Sequence, residues 1–527
     1  MQLVIPMSGQ GTRYKKAGHT QPKPLIPVNG RPMIERLLEK FPSEWPCTFV
    51  LAENHLESEL PALLKKLRPH SQILSVPLHG KGPSFALKAA LPKLKSQNPV
   101  LVSYCDYGMI WDPWDFKTFT EQSQCDAALI SYRGFHAHYL SPVMYAYSRI
   151  ENDLVREVKE KGCFTNNREN EFASAGAYYF KSAEILQSAL DYQEKNDLSL
   201  NGEFYTSLTV EALLQKNPEC KVKVYEIPAF FQWGTPEDLA IFEYWEKTYS
   251  CLLKNEGLRQ EEDLQILMPM AGLGSRFKEL YKLPKPFLKI NSAPMYRKAL
   301  DSLPRAKMNH YVTLQSVKEQ LKLEKNESAI FLEQTPEGQA LSVEAGLKAL
   351  NESQEIIVSA CDHGIVLSSE VWQKFQNQKQ KPDAAIFTVR GFPGAQRRPQ
   401  AFAYVQTSDS AHAPQISDVL NVSVKKPISE KPSSDPLLVG TFWFKNKSIL
   451  EKGIQLLKKK NVRVNGELYL DSVFNLLLAE GLKVLSIPLD GYINWGDPDS
   501  LAEALYWADV HGGQKNSVSA RLSGVTE

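Results

Sequence analysis

The sequence predicts two tandem α/β domains, each built on a mostly parallel β-sheet covered by helices. Three observations predict them. The chain repeats itself over nearly its whole length. Within each repeat, short apolar and β-branched runs alternate with amphipathic stretches. A glycine-bearing loop follows the first predicted strand of each repeat.

The repeat is collinear. LVIPMSGQGTRYKKAGHTQPKPLIPVNGRPMIE near the N-terminus is answered by ILMPMAGLGSRFKELYKLPKPFLKINSAPMYR. Gly9, Gly11, Arg13, Lys23, Pro32 and Met33 fall on Gly272, Gly274, Arg276, Lys285, Pro294 and Met295. VLVSYCDYG, with Asp106, matches IIVSACDHG, with Asp362. DAALISYRGF (126–135) matches DAAIFTVRGF (383–392) with six identities in ten. NGEFY (201–205) matches NGELY (465–469), and Trp233-Gly234 matches Trp495-Gly496. Gly9 to Trp233 is 224 positions and Gly272 to Trp495 is 223. Matches in one order at nearly equal spacing mean duplication. The expected organisation is a first copy over 1–249, a polar linker over 250–263, a second copy over 264–510 and a disordered tail over 511–527.

Strand and helix periodicity supports the sheet. LVIPM, CTFVLA, QILSVPL and PVLVSYCD have the composition of buried strands. MIERLLEKF and SFALKAALPKL have helical spacing. Alternation of the two implies parallel strands with helices on both faces. Ligands then bind beyond the carboxyl ends of the strands.

Composition bounds the function. Of 527 residues, 43% are apolar, and 61 Lys and Arg nearly cancel 60 Asp and Glu. That balance gives no groove for nucleic acid. No apolar run approaches the ~18 residues of a membrane helix. The seven cysteines are scattered, without metal-site spacing, and suit a reducing cytoplasm.

The chemistry concentrates in a few residues. Gly9-Gln10-Gly11-Thr12-Arg13 lets the backbone turn and approach a phosphate with its N–H groups. It is not a dinucleotide fingerprint, because Tyr14 stands where the third glycine belongs and Phe277 does so in the second copy. It is not a Walker loop either, lacking the Gly-Lys-[Ser/Thr] ending. The pattern is G-x-G-[ST]-R followed by Pro22-Lys23-Pro24, and Pro284-Lys285-Pro286 in the second copy. An arginine fork and a lysine converging on one glycine loop suit a triphosphate. Asp106 and Asp362 each close an apolar strand run. A carboxylate there faces the ligand crevice and can hold Mg²⁺ against phosphate oxygens. Asp112 has Ser368 opposite it and is not counted as essential. His136 and His138 read as surface or sugar-loop residues. Phe230, Phe231 and Trp233 read as core.

Together with Asn-Gly-Glu-x-Tyr and the late Trp-Gly-Thr-Pro-Glu-Asp-Leu, these motifs resemble the sugar-1-phosphate nucleotidylyltransferases. The resemblance covers nearly all of both copies. It is closest to the nucleotidyltransferases of bacterial capsule and lipopolysaccharide loci. It implies a Rossmann-like, glycosyltransferase-A-like fold for each copy. It further implies transfer of NMP from a nucleoside triphosphate to a sugar 1-phosphate or similar phosphomonoester, with pyrophosphate leaving. Under it, Gly9, Gly11, Thr12, Arg13 and Lys23, with Gly272, Gly274, Ser275, Arg276 and Lys285, hold the triphosphate. Gly82 in the first copy, and Gln334 and Gly338 in the second, belong to the base-contacting stretch. Glu160, Lys161 and Glu203, with Lys425 and Glu467, meet the sugar phosphate. Lys431 competes with Lys425, since Glu430-Lys431 fits by local sequence and Lys425 by distance to Gly440. Asp106 and Asp362 bind Mg²⁺.

Two departures matter. Gln232 and Asn494 occupy the place of an aspartate that completes the family's metal site, so either Asp106 works with fewer protein carboxylates, or Glu237, Asp238, Asp497 or Asp499 compensates, or catalysis is weak. The base-contacting stretches differ, Leu78 and Gly82-Pro83-Ser84 against Gln334 and Glu337-Gly338-Gln339-Ala340. Two other readings stay open: a glycosyltransferase on the same fold, and one copy that binds ligand without catalysis.

Overall fold

Four parallel strands lie side by side at the centre of the first sheet, in the spatial order Gln72–Val76, Cys47–Ala52, Gln2–Met7 and Val100–Ser103. Every residue of Gln2–Met7 and Cys47–Ala52 is buried. Alternation decides which face each serves. Leu3, Ile5, Phe49 and Leu51 pack with Ile34 and Leu37 on one side. Val4, Val50 and Val102 pack with Ala86, Leu87 and Val210 on the other. A strand covered on both faces needs a continuous apolar run, as these sequences supply. The computed structural model describes residues 1–254, 258, 260–409 and 415–512.

An antiparallel half continues the sheet. Phe172–Phe180 pairs antiparallel with Val100–Ser103 and with Ala127–Tyr132, and the hairpin Tyr147–Glu151 with Leu154–Lys159 extends it. A bulge between Ser174 and Ala177 places Gly176 beside the Tyr104 ring. A separate pair, Tyr107–Ile110 with Ala229–Gln232, sets Gln232 opposite Tyr107. There the Trp233 N–H donates to the Asp106 carbonyl at 2.9 Å, which fixes the backbone under the aspartate.

The second sheet repeats this plan. Its order is Glu327–Leu332, Arg305–Leu314, Gln260–Pro269, Glu355–Ser359, Leu437–Phe444, Ala384–Val389, Val484–Pro488, Ser417–Val424 and Ala403–Thr407. The first four are parallel or join the antiparallel Leu437–Phe444, as in the first sheet. The small pair His363–Val366 with Gly491–Asn494 again carries a Trp N–H, that of Trp495, to the Asp362 carbonyl at 2.9 Å.

Packing divides the chain into two units, Met1–Glu243 and Tyr244–Gly512. The division falls inside helix Pro236–Lys254, whose proline and first-turn Glu237 and Asp238 favour a helix start. Leu239 and Phe242 are buried in the first unit, Phe242 against Trp233 at 5.5 Å. Trp245 belongs to the second, stacked on Trp507, and Tyr249 donates to the Ala504 carbonyl at 3.0 Å. Of the expected linker, 250–254 is helical and 260–263 is strand. Residues 255–257, 259 and the tail from 513 lie outside the described residues.

Candidate active site

Lys23 and Asp106 form the centre of the first unit. Lys23 Nζ lies 2.5 Å from Asp106 Oδ2 and donates to the Gly234 carbonyl at 2.9 Å. The second unit builds the same triangle: Lys285 Nζ to Asp362 Oδ2 at 2.5 Å and to the Gly496 carbonyl at 3.0 Å. The glycine loops match as well. Gly11 and Gly274 both sit in the left-handed region, at φ 62° and 56°, and turn the chain into helices Thr12–Lys16 and Ser275–Lys278. Their Cα atoms lie against Lys23 and Lys285, where an added Cβ would meet the lysine Cβ at 3.5 and 2.9 Å. One difference is Tyr14, whose hydroxyl donates to the Trp233 and Thr235 carbonyls at 2.8 and 3.0 Å. Phe277 has no such group.

Two chambers of the first unit meet at this centre. One, of about 530 Å³, is walled by Gly9, Gly11, Thr12, Arg13, His79, Gly82 and Glu203. The other, of about 510 Å³, is walled by Glu160, Lys161, Tyr145, Phe230, Gln232 and Asp238. Arg13, Lys23, Tyr104, Asp106, Tyr205 and Gly234 border both. Residues predicted on the nucleotide side thus line one chamber, residues predicted on the sugar-phosphate side line the other, and Glu203 lies with the first.

Gly82 and Gly338 turn out to be equivalent despite their divergent neighbours. Gly82 has φ 81° and ψ 173°, Gly338 φ 111° and ψ 162°, a region essentially closed to other residues. Each faces the backbone of the Asn-Gly-Glu segment. Phe204 N–H donates to the Lys81 carbonyl at 2.9 Å and Ser84 N–H to the Phe204 carbonyl at 3.0 Å. In the second unit Ala340 N–H donates to the Leu468 carbonyl at 3.1 Å. Gln334 is exposed on the loop before Gly338.

The lysines expected to meet the sugar phosphate are paired by geometry. Val158 N–H donates to Glu211 at 2.8 Å, and Val422 N–H donates to Asn475 at 2.8 Å. Three residues beyond each valine stand Lys161 at φ 51° and Lys425 at φ 59°, a rare conformation for lysine. Lys161 Nζ donates to Tyr205 Oη at 2.6 Å and lies 4.5 Å from the ring centroid. Lys425 Nζ lies 5.6 Å from the Tyr469 ring centroid. Lys425, not Lys431, is therefore the positional counterpart of Lys161. Lys431 caps the short turn Pro432–Ser434 instead.

This pairing exposes an exchange of carboxylates. Glu160 accepts from Ser207 Oγ in the first unit. Val424 stands at the position of Glu160, and Asp471 at that of Ser207. The charge beside the lysine has moved from a strand end to a helix start. Burial pushes the Asp471 carboxyl up to about 6, against the pull of Lys425. A raised folded pKa means stability fully present below the unfolded value near 4 and lost as pH rises through about 6. Asp471→Asn is expected to raise the thermal midpoint of the second unit at about pH 7.5 more than at about pH 4.5. Unfolding scans at both pH values check this; an equal shift at both would contradict it.

A second exchange lies beside the central aspartates. Beside Asp106 the first unit offers Gln232 and Asp238. A Cβ on Gly234 would lie 3.7 Å from Asp106 Oδ2 and 3.8 Å from Asp238 Oδ2, so both carboxylates border one small volume. Burial pushes the Asp238 carboxyl up, with Thr235 opposing through a hydrogen bond. Two carboxylates and an amide oxygen, completed by phosphate oxygens, are a donor set that fits Mg²⁺. In the second unit Ser500 replaces Asp238 and Asp497 replaces Thr235. Asn494 is used internally, accepting from Gly496 N–H at 2.9 Å and donating to Ser500 Oγ at 3.1 Å. Burial opposes ionisation of Asp362, but Lys285 and then His363 outweigh it and hold its carboxyl well below the usual range. Among the described residues no group of three His, Cys, Asp or Glu side chains forms a metal cage.

Other expectations find their places. Phe230, Phe231 and Trp233 are buried, although Phe230 also faces the second chamber. Of the histidines expected on the surface or on a sugar loop, His136 is buried, while His138 lines the second chamber with Nε2 3.1 Å from Tyr132 Oη. The reason is the aromatic nest of Tyr132, Tyr139 and Phe230 into which they pack. Asp112 caps helix Pro113–Ser123 through Trp114 and Asp115 N–H. Glu467 is near Lys425 and Tyr469. Sequence reasoning missed Tyr104, which borders both chambers and has Ala360 opposite it. It also missed Ser141, on the wall of the second chamber, and its counterpart Arg398. Extending the 126–135 match through Ala146-Tyr147 and Ala403-Tyr404 pairs these two without a gap.

Two chambers of the first unit join at a lysine–carboxylate pair under a glycine loop, and the second unit repeats the loop, the pair and the lysine at positive φ. The MobA-like NTP transferase domain model matches residues 3–163 and again 267–421, and the chain belongs to that family. Among solved structures, a nucleoside-diphosphate-sugar pyrophosphorylase from Vibrio cholerae RC9 is 20% identical, over 46% of this chain and 99% of that one, with a TM-score of 0.38. The inositol-1-phosphate CTP transferase from T. maritima is 13% identical, over 50% and 98%, with a TM-score of 0.36. No helix among the described residues is long and apolar enough to cross a membrane.

Proposed function

We propose that the first unit transfers NMP from a nucleoside triphosphate to a sugar 1-phosphate or similar phosphomonoester in the cytoplasm, yielding a nucleotide-activated sugar of the kind surface polysaccharide synthesis consumes. The observation that carries this reading is the pair of chambers meeting at Lys23 and Asp106. The loop N–H groups and Arg13 hold the triphosphate and take up charge on the departing pyrophosphate. Lys161, seated on Tyr205, orients the acceptor phosphate. One of its oxygens forms a bond to the α-phosphorus as the bond from that phosphorus to the bridging oxygen breaks. Bringing two anions together is the main task, and fixed cations in a partly desolvated site perform it. Mg²⁺, when bound by Asp106, Asp238 and Gln232, supplies further neutralisation of the triphosphate.

The test is a panel of the four ribonucleoside triphosphates and dTTP against common sugar 1-phosphates, with pyrophosphate as readout. At least one pair is expected to release pyrophosphate in step with sugar nucleotide. Release of a nucleoside diphosphate from a nucleotide sugar, with no reaction in the panel, would point to glycosyl transfer instead.

A further inference from the structure

Arg398 of the second unit stands where the first has Ser141 on the acceptor wall. Its Nη2 donates to Asp497 Oδ2 at 2.8 Å and to Ser500 Oγ at 3.2 Å. Those two residues occupy the positions of Thr235 and Asp238. The second carboxylate beside the central aspartate has therefore changed both place and partner. In the first unit no ion pair among the described residues reaches Asp238. In the second, Asp497 is bound by Arg398, by Ser500 N–H at 3.0 Å and by Ser500 Oγ at 3.0 Å. Asn494 is consumed internally as well. Arg276 Nη1, from the glycine loop, lies 3.9 Å from the same Asp497 oxygen. Arg398 nevertheless keeps nearly half its side chain exposed, and its Nε and Nη1 hold no hydrogen bond among the described residues. Three linked replacements, at 398, 497 and 500, thus exchange a carboxylate with no ion pair among the described residues for one fixed by a guanidinium, with Arg276 nearby.

We propose that the second unit binds a nucleoside triphosphate without a divalent metal, Arg398 supplying the positive charge that the first unit takes up as an ion. The idea rests on the reading of both loops as triphosphate sites. A guanidinium anchored on one edge presents its remaining N–H groups in a fixed fork, the geometry that suits phosphate oxygens. Lys285, Arg276 and Lys425 share that side of the unit, as their mutual electrostatic influence around Asp362, Asp497 and Tyr469 shows.

The test is calorimetric titration of the full chain with ATP, CTP, GTP, UTP and dTTP, each in EDTA and in Mg²⁺. One equivalent of at least one nucleotide is expected to bind in EDTA and a further equivalent in Mg²⁺. Arg398→Ser, which installs the first unit's residue, is expected to weaken the EDTA-resistant binding roughly 10–100-fold. Arg398→Lys, which keeps the charge but not the anchored fork, is expected to lose less than Arg398→Ser and more than nothing. Absence of nucleotide binding in EDTA, wild-type affinity in Arg398→Ser, or equal loss in both variants would overturn the proposal. Failure of the transfer reading would show differently, as no pyrophosphate from the wild-type chain while the binding classes persist.

Discussion

Asp106→Ala is expected to lower pyrophosphate release on the order of 10²–10³-fold, the usual cost of one lost electrostatic contact in a phosphoryl- or acyl-transfer site. The residue has three tasks. It fixes Lys23 at 2.5 Å, it borders both chambers, and with Asp238 it frames the volume above Gly234. Removing it leaves Lys23 with the Gly234 carbonyl alone and takes one carboxylate from the metal set. Steady-state assays should therefore show the loss mainly in kcat, with a raised requirement for Mg²⁺. Arg13→Ala, at the junction of the chambers, should be similarly costly. Asp106→Asn separates charge from size and should recover little. Unchanged product formation in the Asp106→Ala, Asp362→Ala double variant would contradict the assignment of these carboxylates.

Gly82→Ala and Gly338→Ala should each destabilise their unit by about 1–3 kcal/mol from backbone strain, before any collision is counted. The collisions are severe. A Cβ on Gly82 would lie 2.7 Å from Phe204 N and O, and one on Gly338 would lie 2.6 Å from Leu468 O. Backbone has no rotamer with which to give way, so the Asn-Gly-Glu segment must move. In the first unit that segment carries Glu203 and Tyr205, and Tyr205 seats Lys161. Gly82→Ala is thus expected to lower the thermal midpoint by several degrees and to raise KM for both substrates. Unfolding scans and substrate titrations check this. A variant with wild-type midpoint and KM would show that the loop tolerates the displacement.

How far the sequence discloses the molecule varies by residue. The sheet was legible, because strands buried on both faces must be continuously apolar and glycine loops must follow them. The loop, Arg13, Lys23 and Asp106 were legible because duplication printed them twice. Lys425 was legible by its distance to Gly440 but could not be separated from Lys431, since Val424 replaces the glutamate that would have marked it. The hydrogen bonds of Val158 and Val422 to Glu211 and Asn475 decide between them. The exchange of Glu160 for Asp471 was hidden for a related reason: it moves a charge between elements distant in sequence and adjacent in space, so neither position reads as compensation in a collinear comparison. The exchange of Asp238 for Asp497 is a local shift of three positions, and only its partner Arg398 lies far away in sequence. His136 misled because polar residues in a predicted loop read as exposed, whereas here an aromatic nest receives it.

The most direct test of nucleotidyl transfer follows the phosphates themselves. The chain is incubated with the productive triphosphate, labelled either at the α- or at the γ-phosphorus, and with its sugar 1-phosphate. The α-label is expected to enter the sugar nucleotide and the γ-label to leave as pyrophosphate in equal amount. A γ-label released as orthophosphate, or an α-label that never joins the acceptor, would contradict it.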